Sequence, residues 1–511
     1  MNDRGALVLV GFMGAGKTAA VRDLAAVRNL RPLDVDHVIE DRAGVTISDL
    51  FARDGEPAFR ALEEEVVCEL LDRVGAGDVV SMSGGAVGSA RVRDALGSHL
   101  VVWLDVDPQV AWRRAGGGRR PLARDRAAFE ALHAARQSLY LEVSDATIPA
   151  GARGAMPRAY DAALQLRHAP RGTKLLWAAA HSAEYPVWVG VGLLGSEVWP
   201  LASPPSRRFC VTDRNVGPLW LETLGGIDGA IAIEPGEHSK SVAQAERVWT
   251  ELAQLGVTRG DHIVALGGGV VGDLAGFCAA TYQRGIPVVQ VPTSLAAQVD
   301  SAYGGKTGVD LREAKNYVGA YHQPAGVLAD PGTLATLPAA ELGAGYAEVL
   351  KTALIAGGAL WQRVSSDDPI DAELITACIR CKLAIVAQDE HDDGRRQVLN
   401  LGHTVGHAIE TATGYDRFRH GEAVGLGLLA ALELSGQSEL RATASELLAA
   451  HGLPTSADGL DAAAVIEASR RDKKRVGTSV PFVLVDAPGA VRHGVTVAPD
   501  ELEAAVAALC R

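Results

Sequence analysis

The sequence predicts an α/β fold class in three successive parts: a domain with a parallel sheet, a second α/β domain and a mostly helical C-terminal domain. Short apolar runs alternate with helical patterns up to about residue 164. A second series of apolar runs ends near Pro338, and alanine- and leucine-rich helical patterns dominate after it. Such alternation is typical of parallel sheets, because each pair of parallel strands needs a crossover that a helix supplies.

The predicted strands are short apolar runs bounded by polar or glycine-rich turns. They comprise Leu7–Val10, Asp78–Met82, His99–Asp105, Val187–Val191, Arg208–Thr212, Ala230–Ile233, Ile263–Leu266 and Val288–Val291. Between the two series, Arg167–Thr173 introduces proline, glycine and charge. A chain of 511 residues is too long to fold around one hydrophobic core. We therefore predict domains at 1–166, 177–338 and 339–511, with a linker at 167–176.

The composition of the chain indicates which classes of binding partner to expect. The net charge of −13 argues against nucleic acids and anionic membranes, because no general basic field attracts a polyanion. No apolar run approaches the roughly 18 to 20 residues of a membrane span. Six scattered cysteines fit a reducing compartment, and the CxxC of Cys378 and Cys381 is interpreted as two helix-packing thiols. We expect a cytoplasmic protein that acts on small molecules.

A phosphate-binding motif follows the first strand. Gly11–Thr18 matches GxxxxGK[ST], and a helical pattern comes directly after it. In such a P-loop the backbone N–H groups cradle phosphates, Lys17 reaches the β and γ oxygens, and Thr18 binds Mg²⁺. The predicted ATP contacts are Gly14, Ala15, Gly16, Lys17 and Thr18.

Candidates for binding a phosphoryl acceptor follow the P-loop. One carboxylate of Asp34-Val-Asp36 can orient a hydroxyl, while Arg60 and Arg136 can bind a carboxylate with paired hydrogen bonds. Ser83-Gly84-Gly85 and Arg120-Pro-Leu122 complete the series. Each also has a structural interpretation, since surface arginines are usually solvated and an aspartate beside a turn usually caps a helix.

Over residues 1 to about 165 these motifs resemble those of shikimate kinases. The resemblance implies that Asp36, Arg60, Gly84, Gly85 and Arg136 bind shikimate, that Asp36 activates its 3-hydroxyl, and that Arg120 lies in a lid over ATP. One departure is Ser83, where the family usually has a third glycine. The alternative is a module that binds nucleotide without transferring phosphate.

The most informative stretch of the second half is Arg396–Glu410. Asn400, His403 and His407 follow Arg396 at intervals that predict one face of a single helix. A carboxylate and imidazoles suit Zn²⁺ with one position open for substrate. The residues alone leave four candidate ligands, because a lone histidine is more often packed or solvated. These candidates are Glu348, His403, His407 and His420.

A glycine-rich turn and a group of cations complete the second half. Gly267, Gly269 and Gly272 form GxGxxG after a strand, but no acidic residue occurs from Leu274 to Val299 to bind a ribose. Either the turn is structural or NAD is held in a non-standard way. The cations suit a phosphorylated, carboxylated substrate. They comprise Arg284, Lys306, Lys315, Lys351, Lys382, Arg396, Lys473 and Lys474.

From about Trp177 to Arg511 the chain is similar to 3-dehydroquinate synthases. The resemblance assigns Zn²⁺ or Co²⁺ to Glu348, His403 and His420, and leaves His407 as a catalytic residue near the departing phosphate. It implies NAD⁺ contacts at Asp213, Asn215, Glu237, Lys240, Gly268, Gly269, Val270, Asp273, Thr293, Ser294, Asp300, Lys315, Thr333 and Thr336. It implies substrate contacts at Arg284, Lys306, Asn316, Lys351, Lys382, Arg396, Asn400 and either Lys473 or Lys474.

Together the resemblances imply a bifunctional enzyme: a P-loop kinase domain, then a Rossmann-like α/β domain and a mostly helical metal- and substrate-binding domain. Catalytic roles are implied for Lys17, Asp36, Arg120, Lys306, Lys351, Lys382, Arg396, Asn400 and His407. The synthase reaction implied converts a heptulosonate 7-phosphate to 3-dehydroquinate and phosphate, with NAD⁺ reduced and then reoxidised. Alternatives for this half are another sugar-phosphate cyclase and a polyol dehydrogenase. A homodimer through residues 177–511 is also implied.

Overall fold

The computed structural model describes residues 4–116, 125–151, 156–201, 206–311, 315–469 and 480–510. The chain forms two compact units. The first contains Met1–Ala179 and Glu184–Pro200, and the second contains Ala180–Ala183 and Leu201–Arg511. Of the predicted site residues, Arg120, Lys473 and Lys474 lie outside the described residues.

The first unit is a parallel sheet flanked by helices. Its elements are β1 (Leu7–Val10), α1 (Lys17–Arg28), β2 (Arg31–Asp34), α2 (Val35–Ala43), α3 (Ile47–Leu71), β3 (Asp78–Ser81), α4 (Ala90–Leu96), β4 (Leu100–Asp105), α5 (Pro108–Ala115), α6 (Arg126–Val143), β5 (Ala146–Pro149), α7 (Met156–Gln165), β6 (Lys174–Ala179) and β7 (Glu184–Val189). The strand order is β2-β3-β1-β4-β5-β6-β7, with only β7 antiparallel to its neighbour in this run.

Burial explains why the first strands are continuous apolar runs. All four residues of Leu7–Val10 are inaccessible to solvent, as expected where helices cover both faces of a parallel sheet. β6 begins inside the segment predicted as a linker. The Leu175 N–H donates to the Asp145 carbonyl at 2.8 Å, which joins β6 to the sheet of the first unit. The limits of the functional domains stay a prediction.

The second unit combines a parallel sheet with a set of helices. Its elements are β8 (Arg208–Asp213), α8 (Gly217–Leu224), β9 (Gly229–Ile233), α9 (Val242–Gln254), β10 (His262–Gly267), α10 (Gly269–Thr281), β11 (Val288–Pro292), β12 (Lys306–Val309), β13 (Val318–Tyr321), β14 (Gly326–Ala329), α11 (Ala339–Ala356), α12 (Gly358–Ser365), α13 (Ala372–Gln388), α14 (His403–Ala412), α15 (His420–Leu434), α16 (Ser438–Ala450), α17 (Ala462–Ser469), β15 (Phe482–Ala487), β16 (Ala490–Val495) and α18 (Pro499–Ala507).

The sheet of this unit has the order β14-β11-β10-β8-β9, and all its strands are parallel. Its core packs Phe209, Ile263 and Val288 against α9 and α10. Two antiparallel hairpins, β12–β13 and β15–β16, lie outside this sheet. The second hairpin interrupts the C-terminal part, whose other described elements are helical, as predicted.

The prediction of one continuous helix from Arg396 to His407 is wrong. Arg396 and Asn400 lie in a short 3₁₀ turn, and α14 begins only at His403. Gly402 separates the two with a φ of 77°, a conformation that favours glycine. α15 packs so closely here that a Cβ on Gly427 would lie 1.9 Å from the Gly402 carbonyl oxygen.

The α/β fold class is confirmed, with parallel sheets as the predicted frame of both units. None of the helices in the described ranges has the length and apolar character that crossing a membrane requires.

Candidate active sites

The P-loop of the first unit connects β1 to α1. Gly14 and Gly16 have φ values of 85° and 91°, which a residue with a side chain adopts only with strain. Lys17 is the first residue of α1, and its Nζ donates to the carbonyl oxygens of Gly11 at 2.7 Å and Phe12 at 3.2 Å. The loop therefore presents glycine backbone and a cation at a helix N-terminus, an arrangement that binds phosphate.

Thr18 has a carboxylate partner that motif reasoning did not assign. Its Oγ1 donates to Asp34 Oδ2 at 2.8 Å, and Asp34 also caps α2 by accepting from the Asp36 N–H at 3.0 Å. A hydroxyl beside a carboxylate is a suitable pair for Mg²⁺. The signal for Asp34 was its place in Asp34-Val-Asp36, of which the resemblance assigns a role only to Asp36, an exposed residue in the first turn of α2.

The predicted shikimate-binding residues Arg60 and Arg136 meet at one loop. A Cβ on Gly85 would lie 2.1 Å from Arg60 Nη1, so a side chain at this position would displace the guanidinium. Arg136 Nη1 and the Tyr140 hydroxyl both donate to the Gly84 carbonyl, at 3.1 and 2.6 Å. Two cations therefore converge on the loop that follows β3.

Arg60 is held by carboxylates of its own helix. It lies 2.6 Å from Glu63 Oε2 and 3.0 Å from Glu56 Oε1. Burial opposes the charge, but Glu63 and Glu56 raise the pKa of Arg60. Glu63 is only 2% exposed, and it also accepts a short hydrogen bond from the Ser83 hydroxyl. Ser83 thus takes part in the support of Arg60.

In the second unit, a cavity of about 930 Å³ opens at the carboxyl ends of β8, β10 and β11. This is the edge where parallel α/β sheets bind ligands. Asp213 and Glu237 line it, which supplies acidic groups from before the glycine-rich turn. The other predicted NAD residues in its lining are Asn215, Gly268, Gly269, Val270, Thr293, Ser294, Lys315 and Thr336.

A second cavity of about 650 Å³ shares Gly269, Ser294, Lys315 and His420 with the first. Cofactor-type and substrate-type residues therefore line one continuous region. Further predicted residues in its lining are Lys240, Asp273, Asp300, Lys306, Asn316, Glu348, Lys382, Arg396, Asn400, His403 and His407. The interrupted helix at Gly402 still brings Arg396, Asn400 and the two histidines to this cavity.

Two lysines that line the second cavity, Lys306 and Lys382, are paired with carboxylates, and so is the buried Lys351. Lys351 Nζ lies 2.8 Å from Asp300 Oδ2 and 2.5 Å from Glu348 Oε2, and Lys382 makes a short contact with Asp300. Burial lowers the pKa of Lys382 to about 8, although Asp300 opposes this. Lys306 Nζ lies 2.5 Å from Asp392 Oδ2.

Two other cations are held differently. Arg396 is 1% exposed and donates to the carbonyl oxygens of Gly304, at 2.9 Å, and Glu390. Lys240 is also buried and lies 2.6 Å from Asp273 Oδ2. Burial alone would lower the pKa of Lys240, but Asp273 and Glu237 raise it.

The candidate metal ligands converge. His403, His407 and His420 each place a ring nitrogen within 4.8 Å of the others. Glu348 Oε1 lies 3.5 Å from His403 Nε2 and 3.6 Å from His420 Nε2. All four candidate ligands are thus grouped, and this geometry alone does not distinguish a catalytic His407 from a ligand.

The chemistry of these groups fits Zn²⁺. His403 Nδ1 lies 3.1 Å from the Leu401 carbonyl, an acceptor, so Nδ1 carries the proton and Nε2 faces Glu348. Burial lowers the pKa of His403, which favours the neutral imidazole that binds metals. Against burial, Glu348 and Glu410 raise the pKa of His420 to about 10, which marks a local environment that attracts cations.

Three predicted residues in the described part of the second unit line neither cavity: Arg284, Thr333 and Lys351, the last of which is buried. Arg284 ends the turn Tyr282–Arg284 with a φ of 70°, and Thr333 donates to the Asp330 carbonyl at 2.8 Å in the protein interior. In contrast, Glu410 lines both cavities and was not predicted. Its signal was its place in the same motif as His403 and His407.

Comparison with known proteins agrees with one site in the first unit and another in the second. Residues 13–161 match the shikimate kinase family, residues 230–344 match the 3-dehydroquinate synthase N-terminal family, and residues 345–475 match the 3-dehydroquinate synthase C-terminal family.

Individual relatives point to the same synthase family. The chain is 43% identical over 354 residues to a 3-dehydroquinate synthase of Symbiobacterium thermophilum, covering 64% of this chain and 98% of that protein. It is 44% identical over 331 residues to one of Caulobacter vibrioides, covering 59% and 89%. A solved 2-epi-5-epi-valiolone synthase of Streptomyces hygroscopicus with NAD⁺ and Zn²⁺ bound is 27% identical, with a TM-score of 0.56 and coverage of 60% and 91%.

The chain covers nearly the whole length of a synthase that is more than 40% identical to it, and its first 161 residues contain the match to the kinase family. Both findings agree with the two sets of side chains described above. This chain belongs to the 3-dehydroquinate synthase family and carries a shikimate kinase domain in the same polypeptide.

Proposed function

We propose that this bifunctional enzyme phosphorylates shikimate with ATP in its first unit and converts 3-deoxy-D-arabino-heptulosonate 7-phosphate to 3-dehydroquinate and phosphate in its second. The first proposal is supported by the kinase-family match and the convergence of Arg60 and Arg136 on Gly84-Gly85. The second is supported by the grouping of Glu348 with three histidines beside a cavity rich in cations.

In the kinase reaction, Lys17 and the P-loop N–H groups bind the phosphates, and Thr18 with Asp34 binds Mg²⁺. Asp36 accepts the proton of the attacking hydroxyl, while the two arginines bind the acceptor carboxylate. An apolar cavity of about 230 Å³ beside Ala15, Leu24 and Tyr160 suits the base of the nucleotide.

In the synthase reaction, Glu348, His403 and His420 would hold Zn²⁺, and the residues at the strand ends would hold NAD⁺. When bound, these groups would supply Lewis acidity and a reversible oxidation of the substrate. Lys351, Lys382 and Arg396 stabilise the negative charges of substrate and of the developing enolate. His407 is assigned the exchange of a proton next to the departing phosphate.

The alternatives for the second unit are a different sugar-phosphate cyclase and a polyol dehydrogenase. The similarity to 2-epi-5-epi-valiolone synthase makes the cyclase alternative concrete, but the 43% identical relative is a 3-dehydroquinate synthase. The test is to supply the heptulosonate phosphate with NAD⁺ and Zn²⁺ and identify the product. We expect 3-dehydroquinate and phosphate without accumulation of NADH. Stoichiometric NADH would identify a dehydrogenase, and another carbocycle would identify a different cyclase.

The same proposal includes a homodimer formed through residues 177–511, on the basis of the resemblance to the synthase family. Sedimentation of the full chain tests this, with twice the chain mass as the expected result.

A further inference from the structure

Glu410 is a buried carboxylate that lines both cavities of the second unit and has no role in the proposed reaction. It lies on α14, the helix that begins with His403, and is 2% exposed. Buried charges are retained only where they are paired, and most of them are fully hydrogen-bonded. Glu410 Oε2, however, is buried without a hydrogen-bond partner among the described residues.

The other oxygen of Glu410 contacts two functional groups at once. Oε1 accepts from Lys315 Nζ at 3.1 Å and lies 3.5 Å from His420 Nδ1. His420 therefore faces a carboxylate with each ring nitrogen, since its Nε2 lies 3.6 Å from Glu348 Oε1. A carboxylate on the outer nitrogen fixes the ring orientation and the tautomer of a metal-binding histidine.

Lys315 extends this contact toward the cofactor cavity. Its Nζ lies 3.8 Å from Glu237 Oε1 and 4.6 Å from the centre of the Tyr415 ring. Glu237 and Lys315 both line the cavity at the strand ends. A continuous series of polar contacts thus runs from Glu237 through Lys315 and Glu410 to His420.

We propose that Glu410 is a positioning residue that couples the metal site to the cofactor site, because one carboxylate oxygen orients both His420 and Lys315. This inference rests on the zinc and NAD⁺ sites of the proposed function. Zinc bound to His420 would fix the orientation of its ring and, through Nδ1, the position of the Glu410 carboxylate. The fixed carboxylate would in turn restrict the position of the Lys315 ammonium in the cofactor cavity. Bound zinc should therefore tighten NAD⁺ binding, and by linkage bound NAD⁺ should tighten zinc binding equally.

The test compares Glu410→Gln with Glu341→Gln in the full chain. Glu341 is a matched control, because it lines the same two cavities but pairs with Arg419 at 2.9 Å. Zinc affinity is measured by competition with a chromogenic chelator, and NAD⁺ affinity by calorimetry of zinc-free and zinc-loaded protein. We expect Glu410→Gln to weaken zinc binding by about 10-fold or more. In the unmodified protein, we expect zinc to increase the affinity for NAD⁺ by about fivefold or more. In Glu410→Gln, we expect this increase to fall below about twofold.

Lys315→Met provides a second variant if Glu410→Gln misfolds by circular dichroism. It should lose the coupling while retaining zinc affinity, since it leaves Glu410 and His420 in contact. The inference is overturned if the unmodified protein binds both ligands and Glu410→Gln matches Glu341→Gln in zinc affinity and in coupling. If the unmodified protein binds neither zinc nor NAD⁺, the proposed synthase site fails and this inference with it.

Discussion

The hydroxyl of Ser83 donates to the buried carboxylate of Glu63, and the other oxygen of that carboxylate lies 2.6 Å from Arg60 Nη1. Shikimate kinases usually have glycine where this chain has Ser83. The serine therefore adds a fixed donor to the carboxylate that orients a substrate-binding arginine. Because Glu63 is almost fully buried, a lost hydrogen bond would not be replaced freely by solvent.

Replacing Ser83 should change shikimate binding more than turnover. A hydrogen bond of this kind contributes about 1 kcal/mol, so Ser83→Ala should raise KM for shikimate by about 3- to 10-fold with little change in kcat or in KM for ATP. Steady-state kinetics with each substrate varied measures this. Ser89→Ala is the matched control, because Ser89 donates to Glu64 of the same helix at 2.7 Å, away from Arg60. An equal rise in KM in both variants would contradict the prediction.

Lys17→Ala should abolish only one of the two activities. Loss of a cation that stabilises transferring phosphate costs about 100-fold or more in rate. We expect shikimate-dependent ADP formation to fall by that factor, while phosphate release from the heptulosonate phosphate continues at the original rate. Coupled assays for ADP and phosphate on one preparation provide the measurement. Loss of both activities in a folded variant would show that the sites are not independent.

The three grouped histidines should differ in metal binding. If His403 is a ligand and His407 is catalytic, His403→Ala loses zinc during dialysis, whereas His407→Ala retains about one zinc per chain but loses about 100-fold in synthase rate. Elemental analysis gives the zinc content. His493→Ala serves as the control because His493 is exposed. Equal zinc loss from His403→Ala and His407→Ala would make His407 a third imidazole ligand.

Deprotonation of Lys382 should determine how the synthase activity falls at alkaline pH. Burial lowers its pKa to about 8 from the ordinary 10.5, and only the protonated form attracts an anionic substrate. kcat/KM should therefore fall as the pH rises through about 8. Lys382→Arg stays charged, so its profile should stay level in this range even if its rate is lower. A fall at the same pH in both proteins would assign the titration to another group.

The same shift has a consequence for stability. Between the folded-state pKa of about 8 and the ordinary value of 10.5, the unfolded chain binds the proton that the folded chain has lost. Stability of the second unit contributed by Lys382 should therefore rise with pH across this interval. Urea unfolding at several pH values measures the slope, and Lys382→Met should remove it.

Local patterns in the sequence determined the parallel-sheet frame and most of the chemical groups. The glycine-rich loop after β1, the cations of the second half and the candidate histidines were identified by residue type and short-range spacing. Family resemblance then implies that Glu348, His403 and His420, and not His407, are the metal ligands, a division that the geometry alone does not make.

Tertiary structure decided which of these groups meet. The expected continuous helix is interrupted at Gly402, where α15 packs against the backbone, a contact that no local pattern encodes. Other contacts likewise join distant residues. Thr18 binds Asp34, Ser83 binds Glu63 and Lys315 binds Glu410 across 16, 20 and 95 positions of the chain. Glu410 also contacts His420, which lies on a separate helix. Sequence spacing identifies what a side chain can do, whereas its partner depends on the folding of distant segments around it.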